Sequence, residues 1–97
     1  MRPHRDVDLE APYDAAFERC RAAIEFVLGA SILVEDRAGG LIEAGFGLVN
    51  SERVRCSLAK IDATHTGVRI EALFAAGVEV PESSRNVDAL AAALALP

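Results

Sequence analysis

Residues 32–74 read ILVEDRAGGLIEAGFGLVNSERVRCSLAKIDATHTGVRIEALF, and apolar and polar side chains alternate along most of this stretch. A period of two is typical of strands that bury one face and leave the other in water. Polar or glycine-containing segments at 36–40, 50–52 and 62–67 interrupt the alternation, and each predicts a turn. The pattern therefore predicts four successive strands joined as an antiparallel meander.

Each predicted strand has one apolar face. The first begins with Ile32 and Val34, and the others cover residues 41–49, 53–61 and 68–74. Because side chains alternate across a strand, every second residue should point into the core. The residues expected there are Ile42, Ala44, Phe46, Leu48, Val54, Cys56, Leu58, Val68, Ile70, Ala72 and Phe74.

One further strand and two helices flank the meander. Residues 4–10 alternate, which predicts a short strand that we place beside the last strand of the sheet. Residues 12–28 repeat apolar side chains at spacings of three and four, which predicts a helix that begins at Pro12. A second helix follows Ser83 or Ser84, either of which suits an N-cap. Its expected buried stripe is Val87, Leu90, Ala91 and Leu94.

These elements predict an α+β fold. Residues 1–97 should form a single domain, in which an antiparallel sheet of about five strands has two helices on one face, in the order β-α-β-β-β-β-α. Packing both helices on the apolar face of the sheet buries every apolar stripe at once, and each large buried side chain contributes about 1.5–3 kcal/mol.

The charge of the chain disfavours several classes of partner. The formal net charge is −5, so nucleic acid and anionic membrane surfaces are not expected partners. No secretory signal pattern follows the N-terminus, and the longest apolar run, 89–97, is too short to span a bilayer. We therefore expect a cytoplasmic protein.

Two cysteines, Cys20 and Cys56, fall on faces that should be buried. In a reducing compartment we expect two free, buried thiols, although a helix packed on a sheet would also allow a disulfide. Neither has further ligands at a spacing that predicts a metal site. The sequence indicates no cofactor.

Two segments, 46–54 (FGLVNSERV) and 84–90 (SRNVDAL), carry a resemblance. The first resembles the middle hairpin, and the second the start of the last helix, of small uncharacterised bacterial β-α-β4-α domains of unknown function. The resemblance implies the same fold and carries no activity with it.

Several charged side chains should lie together on the face of the sheet that the helices leave open. Arg53, Arg55 and Arg69 are the candidates for ligand binding, and Glu43 and Glu71 lie among them. Such a set is most often a lattice of solvated ion pairs. The sharper hypothesis is a platform for an anionic ligand.

The same open face should also carry apolar residues. Leu33, Leu41 and Leu73 fall on it, and Val49 could join them. A contiguous apolar patch marks an interface, and a small domain gains stability by pairing. We therefore expect a non-catalytic binding or assembly module that forms a homodimer through the open face or a strand edge.

Two alternatives remain open. A small apolar ligand could be carried between the helix at 12–28 and a sheet whose curvature Gly45 and Gly47 permit. An enzyme would need a cleft with a perturbed acid or base, and the sequence shows no recognisable catalytic apparatus. His65 lies in a predicted turn, and Cys20 has the apolar helical neighbours of an inert thiol.

Overall fold

A computed structural model describes residues 2–47, 51–75, 77 and 79–96 of the chain. It confirms the predicted α+β architecture and the order β-α-β-β-β-β-α. The elements are β1 (His4–Leu9), α1 (Tyr13–Phe26), β2 (Ser31–Asp36), β3 (Leu41–Gly45), β4 (Arg53–Asp62), β5 (His65–Leu73) and α2 (Arg85–Ala95).

The five strands form one antiparallel sheet in the order β1-β5-β4-β3-β2. The first strand therefore lies beside the fifth, as expected, with Val7 opposite Val68 and Leu9 opposite Thr66. The meander from β2 to β5 pairs each strand with the next along the chain. This leaves β1 and β2 as the two edges of the sheet.

The core lies between the helices and one face of the sheet. Helix α1 contributes Phe17, Cys20 and Ile24, which are fully buried, and α2 contributes its own apolar stripe. The predicted inward residues of the strands are buried in the same cluster, namely Ile42, Ala44, Val54, Cys56, Leu58, Val68, Ile70 and Ala72. For β3, β4 and β5 the alternation therefore sorted the two faces correctly.

The third strand is shorter than predicted. It ends at Gly45 and not at Val49, because Gly47 takes a positive φ of 75°, which takes the backbone out of the extended region. Phe46 still packs partly buried against the core. The predictions for Leu48 and Val49 fall outside the described residues.

The hairpin between β4 and β5 is tighter than the predicted turn at 62–67. Its turn residues are Ala63 and Thr64, and His65 already belongs to β5. The Asp62 carboxylate accepts hydrogen bonds from the Thr64 backbone N–H at 2.8 Å and from its hydroxyl at 3.1 Å. This Asx-type arrangement closes the turn and lets the strands pair up to Asp62 and His65.

The turn between β2 and β3 is fastened to the start of α1. Arg37 forms an ion pair with Asp14 at 3.3 Å and another with Glu18, and its guanidinium lies 4.7 Å from the centre of the Phe17 ring. The Tyr13 hydroxyl donates to the Arg37 carbonyl at 2.6 Å. These contacts hold the helix against the edge of the sheet where β2 lies.

A buried carboxylate fastens the second helix. Ser84 is the N-cap of α2, and its hydroxyl accepts from the Val87 N–H and donates to Glu52 at 2.9 Å. The Asn86 amide donates to the other carboxylate oxygen of Glu52. Glu52 is buried, although the sequence placed it in a solvated turn. This contact joins the two segments, 46–54 and 84–90, on which the family resemblance rests.

Candidate functional site

The candidate site is the face of the sheet turned away from the helices, here called the open face. Four rows of side chains cross it, because residues paired across strands point to the same side. From one end of the strands to the other, the first row holds Leu73, Arg53 and Gly45, and the second holds His4, Glu71, Arg55 and Glu43. The third row holds Asp6, Arg69, Ser57 and Leu41, and the fourth holds Asp8, Gly67 and Ala59.

The two middle rows are held by ion pairs. Arg55 lies 3.4 Å from Glu43, and Arg69 lies 3.9 Å from Glu71. Arg2 approaches the same Glu71 at 3.9 Å. The carboxylates of these pairs are half-buried on the surface of the sheet, where ion pairs contribute about 0–1 kcal/mol each, so they do little for stability. Their effect is to fix the pattern of positive and negative charge across the face.

The three candidate arginines lie in three different rows. Arg55 and Arg69 have carboxylate partners, whereas Arg53 has no ion pair among the described residues. The Nε–H of Arg55 is buried and has no acceptor within the same part of the chain. The arrangement is a spread lattice of charge and does not converge on one point.

Arg53 stands between two depressions at one end of the face. One, of about 320 Å³, is bounded by Leu73 and Phe74, and the other, of about 380 Å³, by Leu33 and Phe46. Both also touch carboxylates, Glu43 in the first and Glu52 in the second. The nearby acids weaken the case for an anionic ligand here.

A third depression of about 420 Å³ lies at the other end of the face, over Gly67. Ala59 and Gly67 form its floor, and the Ile61 side chain stands beside it, with Cδ1 3.6 Å from where a Cβ on Gly67 would lie. Asp6, Asp8, Ser57 and Arg69 complete its rim. The site offers an apolar base within a polar rim.

The three candidate interface leucines do not touch each other in one patch. Leu33 is 52% exposed on β2, whereas Leu41 and Leu73 are half-buried on β3 and β5 and lie in different rows. Sequence alternation did not place Val34 on this face, because Val34 follows a register shift, between Ile32 and Val34, that a period of two does not reveal. Ile61 alternates in step with Arg53, Arg55 and Ser57, so the same pattern puts it on the open face, although it was not among the predicted interface residues.

The cysteines occupy the opposite face. Cys20 and Cys56 are fully buried as free thiols, and the hydrogen bond that the Cys56 thiol makes with Cys20, together with burial, raises the pKa of Cys56 well above its ordinary value. A thiol whose pKa is raised is a poor nucleophile at neutral pH. The arrangement matches the expected pair of inert core cysteines.

His65 and Asp62 form a small polar cluster on the hairpin. The His65 Nδ1 lies 3.0 Å from an Asp62 carboxylate oxygen. The hydrogen bond from the Thr64 backbone and the one with His65 lower the pKa of Asp62 to about 2. Both side chains are well exposed, so the cluster serves the turn and lacks the dry cleft that catalysis favours.

The space proposed for an apolar ligand, between α1 and the sheet, is occupied by side chains. Phe17, Cys20 and Ile24 have no exposed surface, nor have Ile42 and Cys56 on the facing strands. The depressions described above lie on the other face. Close packing of this kind leaves a ligand little room.

The described residues contain no group of three or more histidine, cysteine or acidic side chains placed to hold a metal ion. Within that same part of the chain, no helix combines the length and the apolar character needed to cross a membrane.

Comparison with known proteins adds little to this picture. No family model matches the chain, and no curated protein is similar to it at a significant level. A solved structure with similarity is the solution NMR structure of a bacterial protein from Thermobifida fusca, determined as a structural-genomics target. It is 13% identical, the match covers 88% of this chain and 76% of the other, and the TM-score is 0.37. A likeness at that score carries no argument about function.

Proposed function

We propose that this chain is a non-catalytic assembly module that forms a homodimer through the open face of its sheet. One observation carries the proposal. Both helices lie on the same face of the sheet, and the opposite face holds exposed apolar side chains with no covering element in the described part of the chain. A second copy of the chain would cover them.

The exposed apolar residues support this reading. Ile61 is 55% exposed beside the Gly67 depression, and Leu33 is 52% exposed at the other end of the face. Monomeric proteins tolerate single exposed leucines, but two apolar depressions on one uncovered sheet face favour an interface. Five strands at about 4.8 Å spacing give a face about 24 Å wide. That width suits one side of a standard interface, which buries about 800 Å² per partner.

The strand edges are less suited to pairing than the face is. The β2 edge has a bulge between Ile32 and Val34 and ends in Glu35 and Asp36. The β1 edge carries charged residues at three of its six positions. Bulges and charges on an edge strand are devices that prevent edge-to-edge association. Of the two surfaces that the sequence analysis allowed for dimerisation, the open face is therefore favoured over a strand edge.

The chemistry of the described residues supports a module without catalysis. The thiols that could act as nucleophiles are buried, and the best histidine stabilises a hairpin turn. A carrier of a small apolar ligand between residues 12–28 and the sheet is the alternative proposal. It has less support because core side chains fill that space, and a displaceable apolar dye bound in the core would favour it.

The test is the mass of the purified protein in solution. Sedimentation velocity over about 1 µM to about 1 mM should show a shift from one to two chain masses, as for a dimer of moderate affinity. A strict monomer over the whole range would refute the proposal.

Two matched variants show which surface is used. Ile61→Lys places a charge on the open face, whereas Phe26→Lys places the same charge on α1, where Phe26 is 85% exposed. Ile61→Lys should abolish the dimer and Phe26→Lys should preserve it. The reverse result would show a dimer formed through the helices, and the open face would be excluded.

A further inference from the structure

We propose, resting on dimerisation through the open face, that the two copies pack with their two-fold axis running across the strands. The axis lies between the second and third rows of the face. In this arrangement Leu73 of each copy enters the depression over Gly67 of the other. The occupant of the depression is thus a leucine side chain of a second copy.

The row order of the face makes this arrangement self-complementary. A two-fold axis across the strands reverses their direction, so the second row of one copy meets the third row of the other, and the first row meets the fourth. On β5 the first and fourth rows hold Leu73 and Gly67. The apolar side chain at one end of β5 therefore meets the residue with no side chain at the other end.

The charges of the middle rows agree with the same axis. On β5, Glu71 of one copy faces Arg69 of the other, and the symmetry makes this pair twice. On β1, His4 faces Asp6. On β4, Arg55 faces Ser57, whose hydroxyl can accept a hydrogen bond. Opposed charges across an interface favour one docking orientation over others.

The other face-to-face orientation brings like charges together. With the two-fold axis along the central strand β4, each row meets itself. Arg55 would then face Arg55 of the second copy, and Glu71 would face Glu43 because β5 would lie over β3. Like charges placed opposite each other at an interface are strongly unfavourable. The charge pattern therefore selects the axis across the strands.

The depression has the room and the lining that a leucine needs. Its volume of about 420 Å³ exceeds what one such side chain fills, and Ala59, Gly67 and Ile61 supply an apolar base. Asp6 and Asp8 stand on its rim. Arg53 has no ion pair among the described residues, and in this arrangement Arg53 of the second copy lies opposite Ala59, beside Gly67. A free cation would thus approach an acidic rim.

Engineered disulfides distinguish the two orientations. The double variant Leu73→Cys/Gly67→Cys should form a covalent dimer on mild oxidation. The two positions lie six residues apart on one strand, about 20 Å, which is too far for a bond within one chain. Gly67 tolerates the change, because a Cβ there would meet no atom closer than 3.6 Å. The native Cys20 and Cys56 are buried and do not compete.

Ser57→Cys is the matched variant for the rejected orientation, in which Ser57 faces itself across the axis. Cross-linking of the double variant, with none for Ser57→Cys, supports the proposal. Cross-linking of Ser57→Cys, or failure of both variants while the protein still sediments as a dimer, overturns the orientation and leaves dimerisation standing. If the parent protein does not dimerise at all, the proposed function itself is refuted. Failure of the orientation and failure of the proposed function are therefore distinguishable.

A non-covalent comparison gives a second readout. Leu73→Ala should weaken the dimer about tenfold or more, because each interface contains the contact twice. Leu41→Ala removes the same side chain from an equally half-buried position on the same face. It should weaken the dimer less, because Leu41 faces Glu43 of the second copy. Equal effects of the two changes would contradict the assignment of Leu73 to the depression.

Discussion

Neighbouring residues of the same strands form the two faces of this sheet, but different interactions stabilise the two faces. The helix-covered face is a continuous apolar cluster in which Ile42, Val54 and Ile70 have no exposed surface. The open face is a lattice of ion pairs such as Arg55–Glu43 at 3.4 Å. Burial contributes about 1.5–3 kcal/mol per large side chain, and a surface pair about 0–1 kcal/mol. Most of the stability therefore comes from the helix-covered face.

The largest expected effect comes from truncating the covered face. Ile42→Ala should lower the free energy of unfolding by about 2–5 kcal/mol, because a fully buried side chain leaves a cavity between β3 and the helix layer. Leu33→Ala, on the open face, should change it by less than about 1 kcal/mol in the monomer. Urea unfolding of both variants at low protein concentration measures the difference. Equal losses would show that the two faces are energetically alike.

The next effect concerns the turn that fixes α1 against the sheet. Gly40 has a φ of 70°, and a Cβ there would lie 2.3 Å from the Leu58 carbonyl oxygen. Gly40→Ala should therefore cost about 2–4 kcal/mol, from backbone strain and steric overlap together. Thermal unfolding of the purified variant measures this loss.

Gly29 provides the control for that prediction. It also has a positive φ, 63°, but a Cβ added to it would have no atom within 4 Å. Gly29→Ala should cost about 1–2 kcal/mol, from backbone strain alone. If the two variants lost equal stability, the close approach of β4 to Gly40 would have no energetic consequence.

The N-cap of α2 provides a smaller effect. Ser84→Ala should cost about 1–2 kcal/mol, because it removes the acceptor for the Val87 N–H and the hydroxyl donor to buried Glu52. Ser83→Ala, one residue earlier at an exposed position, should have almost no effect. Chemical denaturation of the two alanine variants checks the assignment. A larger loss of stability for Ser83→Ala would show that Ser83, and not Ser84, is the N-cap.

The sequence was sufficient to predict which face of the sheet most strand residues lie on. Alternation placed Val54, Cys56 and Ile70 in the core, and all three are fully buried. This works because a strand with one buried face cannot shift its register by one residue without turning every apolar side chain outward. The helix stripes, with Phe17 and Leu90, follow from periodicity in the same way.

What the sequence did not reveal depends on contacts between distant segments. Glu52 lies in a polar stretch, and its partner Ser84 lies 32 residues later, so nothing local indicates that this acid is buried. Thr66 is likewise buried and donates to the Ala11 carbonyl at 3.0 Å, 55 residues away. Val34 reached the open face through a register shift that side-chain alternation conceals.

The smallest predicted effect is the acid dependence of the β4–β5 hairpin. The pKa of Asp62 lies near 2, below its ordinary value of about 3.9, because the charged form accepts hydrogen bonds from Thr64 and lies beside His65. A carboxylate with a lowered pKa stabilises the folded state above its unfolded pKa. That stabilisation is lost as the pH falls from about 4 toward about 2.

Two measurements test this acid dependence at the turn of the hairpin. Asp62→Asn should lower stability slightly at about pH 6, and the difference from the parent protein should shrink as the pH falls from about 4 toward about 2, where about half of the Asp62 side chains become neutral. NMR titration of His65→Ala should show the Asp62 pKa rising only part of the way to its ordinary value. The Thr64 backbone N–H remains as the larger cause of the shift. A complete return to the ordinary value would mean that the imidazole, and not the turn backbone, holds the carboxylate.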